Sequence, residues 1–183
     1  MEFLPTQISD AVVLVPERHG DARGSFSETF RAEWFPGLDF VQDNHSFSEE
    51  ANTIRGLHYQ EPPDDQAKLL RVGRGRIRDI AVDLRAGSPT FLQQIAVVLT
   101  ADGGEQLFIP SGFAHGFVTL EPRTEVLYKV TAYYSPSRER GIRWDDPALG
   151  VDWQIAGDPV LSPRDEAHPP FDPAVTPFTF GGQ

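Results

Sequence analysis

IRGLHYQEPPDDQAKLLR, residues 54–71, carries two extended-looking runs, residues 53–60 and 66–72, on either side of a proline-rich break. Glu61-Pro62-Pro63-Asp64-Asp65 continues neither helix nor strand, because proline fixes φ and lacks an N–H. The chain is expected to reverse there as a hairpin. Two short runs without a 3.6-residue period set the expectation of a β fold. The same stretch concentrates chemistry. His58 is its one side chain that exchanges a proton near neutral pH without a perturbed pKa, and Arg55 and Lys68 bring positive charge for an anion. Alternate residues of a strand share a face, so Arg55 and His58 differ in parity. For both to reach one site the strand must twist, or bulge at Gly56.

Working outward, residues 11–15 form a short apolar strand, followed by a turn over residues 19–24. Residues 25–30 alternate with period two and put Glu28 in step with Phe26 and Phe30, so that carboxylate is expected to be paired or to face a cavity. Residues 31–35 read as one helical turn closed by Pro36-Gly37, and residues 40–47 are unusually rich in hydrogen-bonding side chains for a strand. Downstream, residues 76–84, 91–99, 105–109, 113–120 and 124–134 are β-rich runs punctuated by glycine and proline turns. IRDIAVDL offers no clean apolar face, since Asp79 and Asp83 fall in step with Ile77 and Ala81. About ten short strands at regular spacing indicate an all-β sandwich or barrel. From residue 135 the chain is proline-rich and aperiodic and should wrap the β structure as loops. Ser162-Pro163-Arg164-Asp165 reads as a helix start, with serine at the N-cap and proline at N1. With no linker or repeat, residues 1–183 are expected to form one domain.

Composition narrows the function classes. A formal net charge of −11 argues against non-specific nucleic-acid binding. No apolar run approaches membrane-spanning length, and the N-terminus lacks the pattern of a signal peptide. The absence of cysteine excludes disulfides, Cys-based zinc sites and thiol nucleophiles. A cytoplasmic enzyme is the expectation. Lys68, Arg71, Arg74, Arg76 and Arg78 make a basic island, either a solvated strand edge or, in part, an attraction for a small anion such as a phosphate ester, with Lys68 and Arg55 the better candidates.

The five histidines, His19, His45, His58, His115 and His168, include no H-x-H or H-E-x-x-H pair, so no metal site is expected. No glycine-rich phosphate loop opens a helix, and no Gly-x-Ser-x-Gly elbow occurs. Taken singly, each remaining candidate has a plain structural alternative. His58 reads equally as a core histidine bonded to a carbonyl, His115 as a strand residue relieved by small neighbours, Tyr128 as part of a core strand, and Asp165 as a capping-box acid.

Taken together, the segments FVQDNHS (40–46), RGLHYQ (55–60), QAKLLRV (66–72), AVDLRAGSPTF (81–91), IPSGFAHGF (109–117), LYK (127–129) and IRWDDPALGVDW (142–153) occur in an order that strongly resembles the dTDP-4-dehydrorhamnose 3,5-epimerase family. The likeness runs from about residue 12 to residue 165. It implies a cupin-type double-sheet jelly roll, usually a homodimer, needing no metal or redox cofactor and acting on a deoxythymidine-diphosphate 4-keto-6-deoxyhexose. By that resemblance His58 is the general base, Tyr128 the proton donor on the opposite sugar face, Asp165 the carboxylate paired with the histidine, and Lys68 the residue at the ketone oxygen. Arg23 and Glu28, the VQDN residues Gln42, Asp43 and Asn44, and Arg55, Lys68, His115, Glu139 and Arg164 correspond to substrate contacts.

The implied reaction explains these residue types. Protons on carbons 3 and 5 both flank the carbon 4 ketone, so removing either gives an enolate, and inversion requires the proton to return from the other face. A histidine and a tyrosine on facing strands meet that need, and a cationic lysine stabilises the developing oxyanion. A polar interior would also accommodate Glu28, Asp79 and Asp83. Relatives that epimerise only one of the two carbons form the first alternative, and a non-catalytic sugar-nucleotide-binding cupin the second.

Overall fold

The computed structural model describes residues 1–181. Thirteen strands are present among the described residues: β1 (Glu2–Pro5), β2 (Val12–Val15), β3 (His19–Asp21), β4 (Gly24–Phe26), β5 (Gln42–Ser48), β6 (Ile54–Gln60), β7 (Lys68–Arg74), β8 (Arg76–Asp83), β9 (Gln94–Thr100), β10 (Gln106–Ile109), β11 (Phe113–Thr119), β12 (Thr124–Val130) and β13 (Glu139–Gly141). A single α-helical turn, α1, covers Pro163–Glu166. One sheet has the order β1-β2-β10-β7-β12-β5 and the other β13-β6-β11-β8-β9, while β3 and β4 pair only with each other. This is the double-sheet, all-β architecture expected from the strand spacing, with the sheets left open rather than closed into a barrel.

The expected hairpin over residues 53–72 is not one. β6 and β7 belong to different sheets, so the Pro62-Pro63 turn carries the chain across the sandwich and sets the two strands on opposing walls. The chain crosses again at almost every later turn, and β12 pairs with β7 and β5 while β6 pairs with β11 and β13. Runs of extended sequence do not reveal their partners, because β pairing is decided by packing across the whole sandwich.

Between the sheets lies an apolar core that includes Leu70, Val72, Ile77, Leu99, Leu107, Ile109, Phe113 and Val126. A second cluster explains the patternless IRDIAVDL. The outer face of the five-stranded sheet, with Ile80, Val82, Ala114 and Val118, is covered by Ile142, Leu149, Trp153 and Phe178 from the C-terminal wrap. A strand buried on both faces reads as continuous hydrophobics rather than as alternation, and every residue of β11 is buried. A third cluster places Phe35, with Phe30, Trp34 and Phe40, over Leu14 and Leu69 on the outside of the six-stranded sheet. The predicted helical turn after residue 31 is a 3-10 turn, Ala32–Trp34, serving this cluster.

The strand irregularity required by Arg55 and His58 is present. Opposite β11, His115 pairs with His58 and Phe117 with Arg55, so β6 carries one extra residue between them. Gly56 there has φ of 134°, and a Cβ on it would lie 2.5 Å from Gly116 Cα. Only glycine fits this backbone conformation at that close approach. The bulge turns Arg55 and His58 toward the same space.

Candidate active site

Away from the apolar core, the space between the sheets opens into a cavity of about 540 Å³, lined by Arg55, His58, Lys68, His115, Tyr128, Glu139, Arg164 and Asp165 together with apolar Leu70, Phe117 and Val126. A lobe of about 320 Å³ adds Gln42, Asn44, Gln60, Gln66 and Tyr134. Together they have the size and the mixed lining of a small-molecule site. His58 and His115 come from the five-stranded sheet, Lys68 and Tyr128 from the six-stranded one, so the two groups face each other. Within the second wall Tyr128 pairs with Leu70 and Asn44, which makes Lys68 its diagonal neighbour.

His58 Nε2 lies 2.5 Å from Asp165 Oδ1. Asp165 is delivered by α1, whose N-cap Ser162 accepts from the Asp165 backbone N–H at 3.1 Å and donates its Oγ–H to Asp165 Oδ2 at 2.9 Å. The helix start therefore has two uses: it caps four residues of helix and aims a carboxylate at the histidine. Burial pushes the Asp165 carboxyl up, but the hydrogen bonds from His58 and Ser162 outweigh it and hold the group below the ordinary range. With Nε2–H donating to Asp165, the lone pair of His58 resides on Nδ1, which is the protonation pattern a base requires.

Beside it, His115 Nε2 lies 2.9 Å from Asp79 Oδ2, with Asp79 fully buried. Here burial dominates, raising Asp79 and lowering His115. Burial also brings the Lys68 ammonium down to about 8, against the opposing pull of Asp79 and Glu139. Among the described residues Lys68 has no salt-bridge partner within 4.0 Å, so its charge is available to a bound anion. Burial raises the Tyr128 phenol, which therefore keeps its proton at neutral pH. At the rim, Arg55 donates to Phe47 O at 2.9 Å and to Ser48 Oγ at 3.2 Å. Arg164 and the Tyr134 hydroxyl both hold Glu139, at 2.5 and 2.6 Å, and Gln42 accepts from the Tyr134 backbone N–H at 3.0 Å.

Not every expected residue arrives here. Asp43 lies on the outer face of β5, ion-paired to Lys129 at 2.7 Å, because strand parity sends Gln42 and Asn44 inward and their neighbour outward. Arg23 and Glu28 are exposed, bound to Asp21 and Arg31, on or next to the separate β3–β4 arm. Glu28 thus does not occupy a polar interior, and Asp83 is not in the cavity either. Asp83 is wholly buried as the acceptor for Arg85, Ser88 and Thr90. Of the basic island only Lys68 lines the cavity. Arg74 pairs with Glu125, and Arg78 donates to Asp152 O. Tyr134, Ser46 and Ser162 line the site without having been singled out for it. Tyr134 stands in a proline-rich stretch with no periodicity to mark which way it points.

His58, Asp165 and His168 bring their ligand atoms within 4.8 Å of one another. The 2.5 Å between His58 and Asp165 is a hydrogen-bond distance. Two donors around one tetrahedral zinc at its usual bond lengths stand roughly 3.3 Å apart. The group as arranged shares a proton and does not fit a cation.

Residues 5–173 match the family model described as dTDP-4-dehydrorhamnose 3,5-epimerase. The chain is 47% identical over 180 residues to the enzyme of that name from Salmonella typhimurium, covering 96% of this chain and 98% of the relative. It is similar to the crystal structure of the dTDP-6-deoxy-D-glucose-3,5-epimerase of Legionella pneumophila in complex with dTDP-4-keto-L-rhamnose, with a TM-score of 0.91 and 39% identity over 97% of each chain. A 3′-monoepimerase of Streptomyces bikiniensis, solved with dTDP-quinovose, is similar at a TM-score of 0.85 and 35% identity, over 91% of this chain and 86% of that one.

Proposed function

The chain belongs to the dTDP-4-dehydrorhamnose 3,5-epimerase family, and from that premise we propose how its own residues carry the reaction. It is an isomerase of the cupin-type jelly-roll class that converts dTDP-4-dehydro-6-deoxy-D-glucose to dTDP-4-dehydro-L-rhamnose by inversion at carbons 3 and 5. His58 Nδ1 takes the proton from the carbon next to the ketone. Asp165 holds the opposite nitrogen and stabilises the imidazolium that results. The electron pair moves onto the ketone oxygen, where Lys68 meets it as a cation. Tyr128 returns a proton from the other face, and the ketone re-forms. The observation that carries this division is that His58 and Tyr128 line one cavity from opposite sheets. General acid–base groups so placed contribute about 10²–10⁴-fold each.

Arg55, His115, Glu139 and Arg164, with Gln42 and Asn44 in the lobe, bind the sugar nucleotide. A homodimer fits the family, and Arg23 and Glu28, exposed on or next to the β3–β4 arm, act on substrate only if a second copy brings its cavity to them. Residues 1–183 act as one catalytic domain, in keeping with a cytoplasmic enzyme. Proton NMR of the substrate in deuterium oxide, with a 4-ketoreductase trapping the product, tests the assignment. Deuterium at both carbons 3 and 5 with an L-rhamnose product is expected. Deuterium at one carbon alone places the chain with the single-site relatives, and no exchange refutes catalysis on this substrate.

A further inference from the structure

One half-buried histidine is left unused by that mechanism. His168 stands behind the His58–Asp165 pair, outside the residues that line the cavity. Its ring meets the His58 ring edge to face, with centroids 5.4 Å apart and planes at 77°. The slot exists because Gly141, the cross-strand partner of His58 on β13, has no side chain; a Cβ there would lie 2.2 Å from the His168 ring. The side chain is 11% exposed, and its Nε2 is buried with no hydrogen-bond partner among the described residues, 3.5 Å from the same Asp165 oxygen that His58 engages. A buried, unpaired ring nitrogen costs stability. Asp165 Oδ1, already engaged by His58, lies 3.5 Å away outside hydrogen-bond geometry and is the acceptor that a small turn of the ring would reach.

We propose that His168 is a positioning residue for the epimerisation, a neutral imidazole that closes the 3.5 Å to Asp165 Oδ1 in the working enzyme and donates its Nε2–H there alongside His58. The inference rests on His58 being the base. Burial and the neighbouring His58 both disfavour a charge on His168, while Asp165 favours one and Arg164 opposes it. The other charged or titratable groups lining the cavity with the pair are Glu139 on β13, Lys68 on β7, His115 on β11, Tyr128 on β12, Arg55 on β6 and His45 on β5. A second donor on Asp165 weakens the carboxylate as a proton attractor. His58 therefore enters the cycle with Nδ1 free, and as the imidazolium forms Asp165 shifts its hydrogen bonding toward it. Without His168 the whole carboxylate acts on His58, which favours the protonated, inactive form of the free enzyme.

The test compares kcat/KM against pH for the full-length enzyme and two variants. His168→Phe keeps a ring in the slot and removes the donor, and should move the acid limb of the profile to higher pH by about one unit, the scale of one hydrogen bond to an ionised group. The affinity for dTDP should be retained. His168→Gln, which restores an N–H, should bring the limb back toward its original position. An unmoved limb in an active, folded His168→Phe enzyme overturns the proposal, as does a shift that His168→Gln does not reverse. Nitrogen-15 NMR of the unaltered protein decides without any substitution: His168 is expected to be neutral, with its proton on Nε2, from pH 6 to 8. A proton on Nδ1 alone, or an imidazolium at pH 7, overturns it. Failure of the underlying mechanism is distinguishable, because His58→Asn would then still deuterate the substrate at a rate close to that of the unaltered enzyme.

Discussion

Two histidine–aspartate pairs stand side by side in one cavity, and their strands place His115 opposite His58. They contain the same groups at similar separations, yet their environments push them in opposite directions. Asp165 comes from a helix start at the cavity wall, where Ser162 supplies a further hydrogen bond and the His58 side chain is 28% exposed. Donors win over burial, and the carboxylate remains ready to face an imidazolium. Asp79 comes from the middle of a strand covered on both faces, with His115 as its side-chain partner, and burial wins. Burial thus works against charge on that second pair, whose contact holds hydrogen-bond geometry at the site. The lesson is that a His–Asp contact is not a catalytic signature until the balance of desolvation against donors is known.

Removing the histidines gives the largest contrast. His58→Asn should lower kcat by about 10²–10⁴-fold with dTDP affinity intact, whereas His115→Asn should cost about tenfold, the scale of one misplaced hydrogen bond. Equal losses in steady-state kinetics would erase the distinction between the pairs. The carboxylates should divide differently. Asp165→Asn lowers kcat by about 10–100-fold and also lowers Tm at pH 7, since the carboxylate held down by His58 and Ser162 stabilises the fold there, while Asp79→Asn, replacing a carboxyl that burial works against charging, leaves activity within about tenfold and Tm equal or higher. A large fall in Tm for Asp79→Asn would show that the buried pair is ionic after all.

The smallest effect is one of pH. Lys68 is charged in the folded enzyme only below about 8, against an ordinary value of 10.5. Oxyanion stabilisation is therefore lost as pH rises through about 8, and kcat should fall on that side. Because folding lowers this pKa, the ammonium costs stability below about 8, and the cost disappears as pH rises to 10.5. Lys68→Met should accordingly raise Tm at pH 7 and show no gain at pH 10.5, a difference that scanning calorimetry at the two pH values will register.

Much of the site was legible in the chain because its parts stand in distinctive short strings. RGLHYQ and QAK identify His58, Arg55 and Lys68, and the parity conflict within RGLHYQ demands the bulge that Gly56 provides. The Ser162-Pro163 helix start marks where Asp165 would be held. The pairing of strands was not legible, because β6 and β7 look like hairpin arms and only the sandwich as a whole separates them. Asp43 was misplaced for a simpler reason: a motif names neighbours together, and a strand points them apart. His168 escaped notice because its position depends on Gly141, whose missing side chain is informative only once β13 is known to lie beside β6.

The sheet crossings have a kinetic consequence. Strand pairs here join distant residues: β5 meets β12 across more than 70 positions, and β6 waits for β13 to cover its edge. Contacts of that kind close large loops before they bring any stabilisation, which places folding in the slow range typical of β sandwiches. On the ribosome His58, Lys68 and Tyr128 emerge long before Asp165, so the base gains its carboxylate only near the end of synthesis. Until residues 139–141 have been made, the edge of β6 that β13 covers has no partner. It is at that stage, rather than as the finished enzyme, that the chain is most exposed to aggregation.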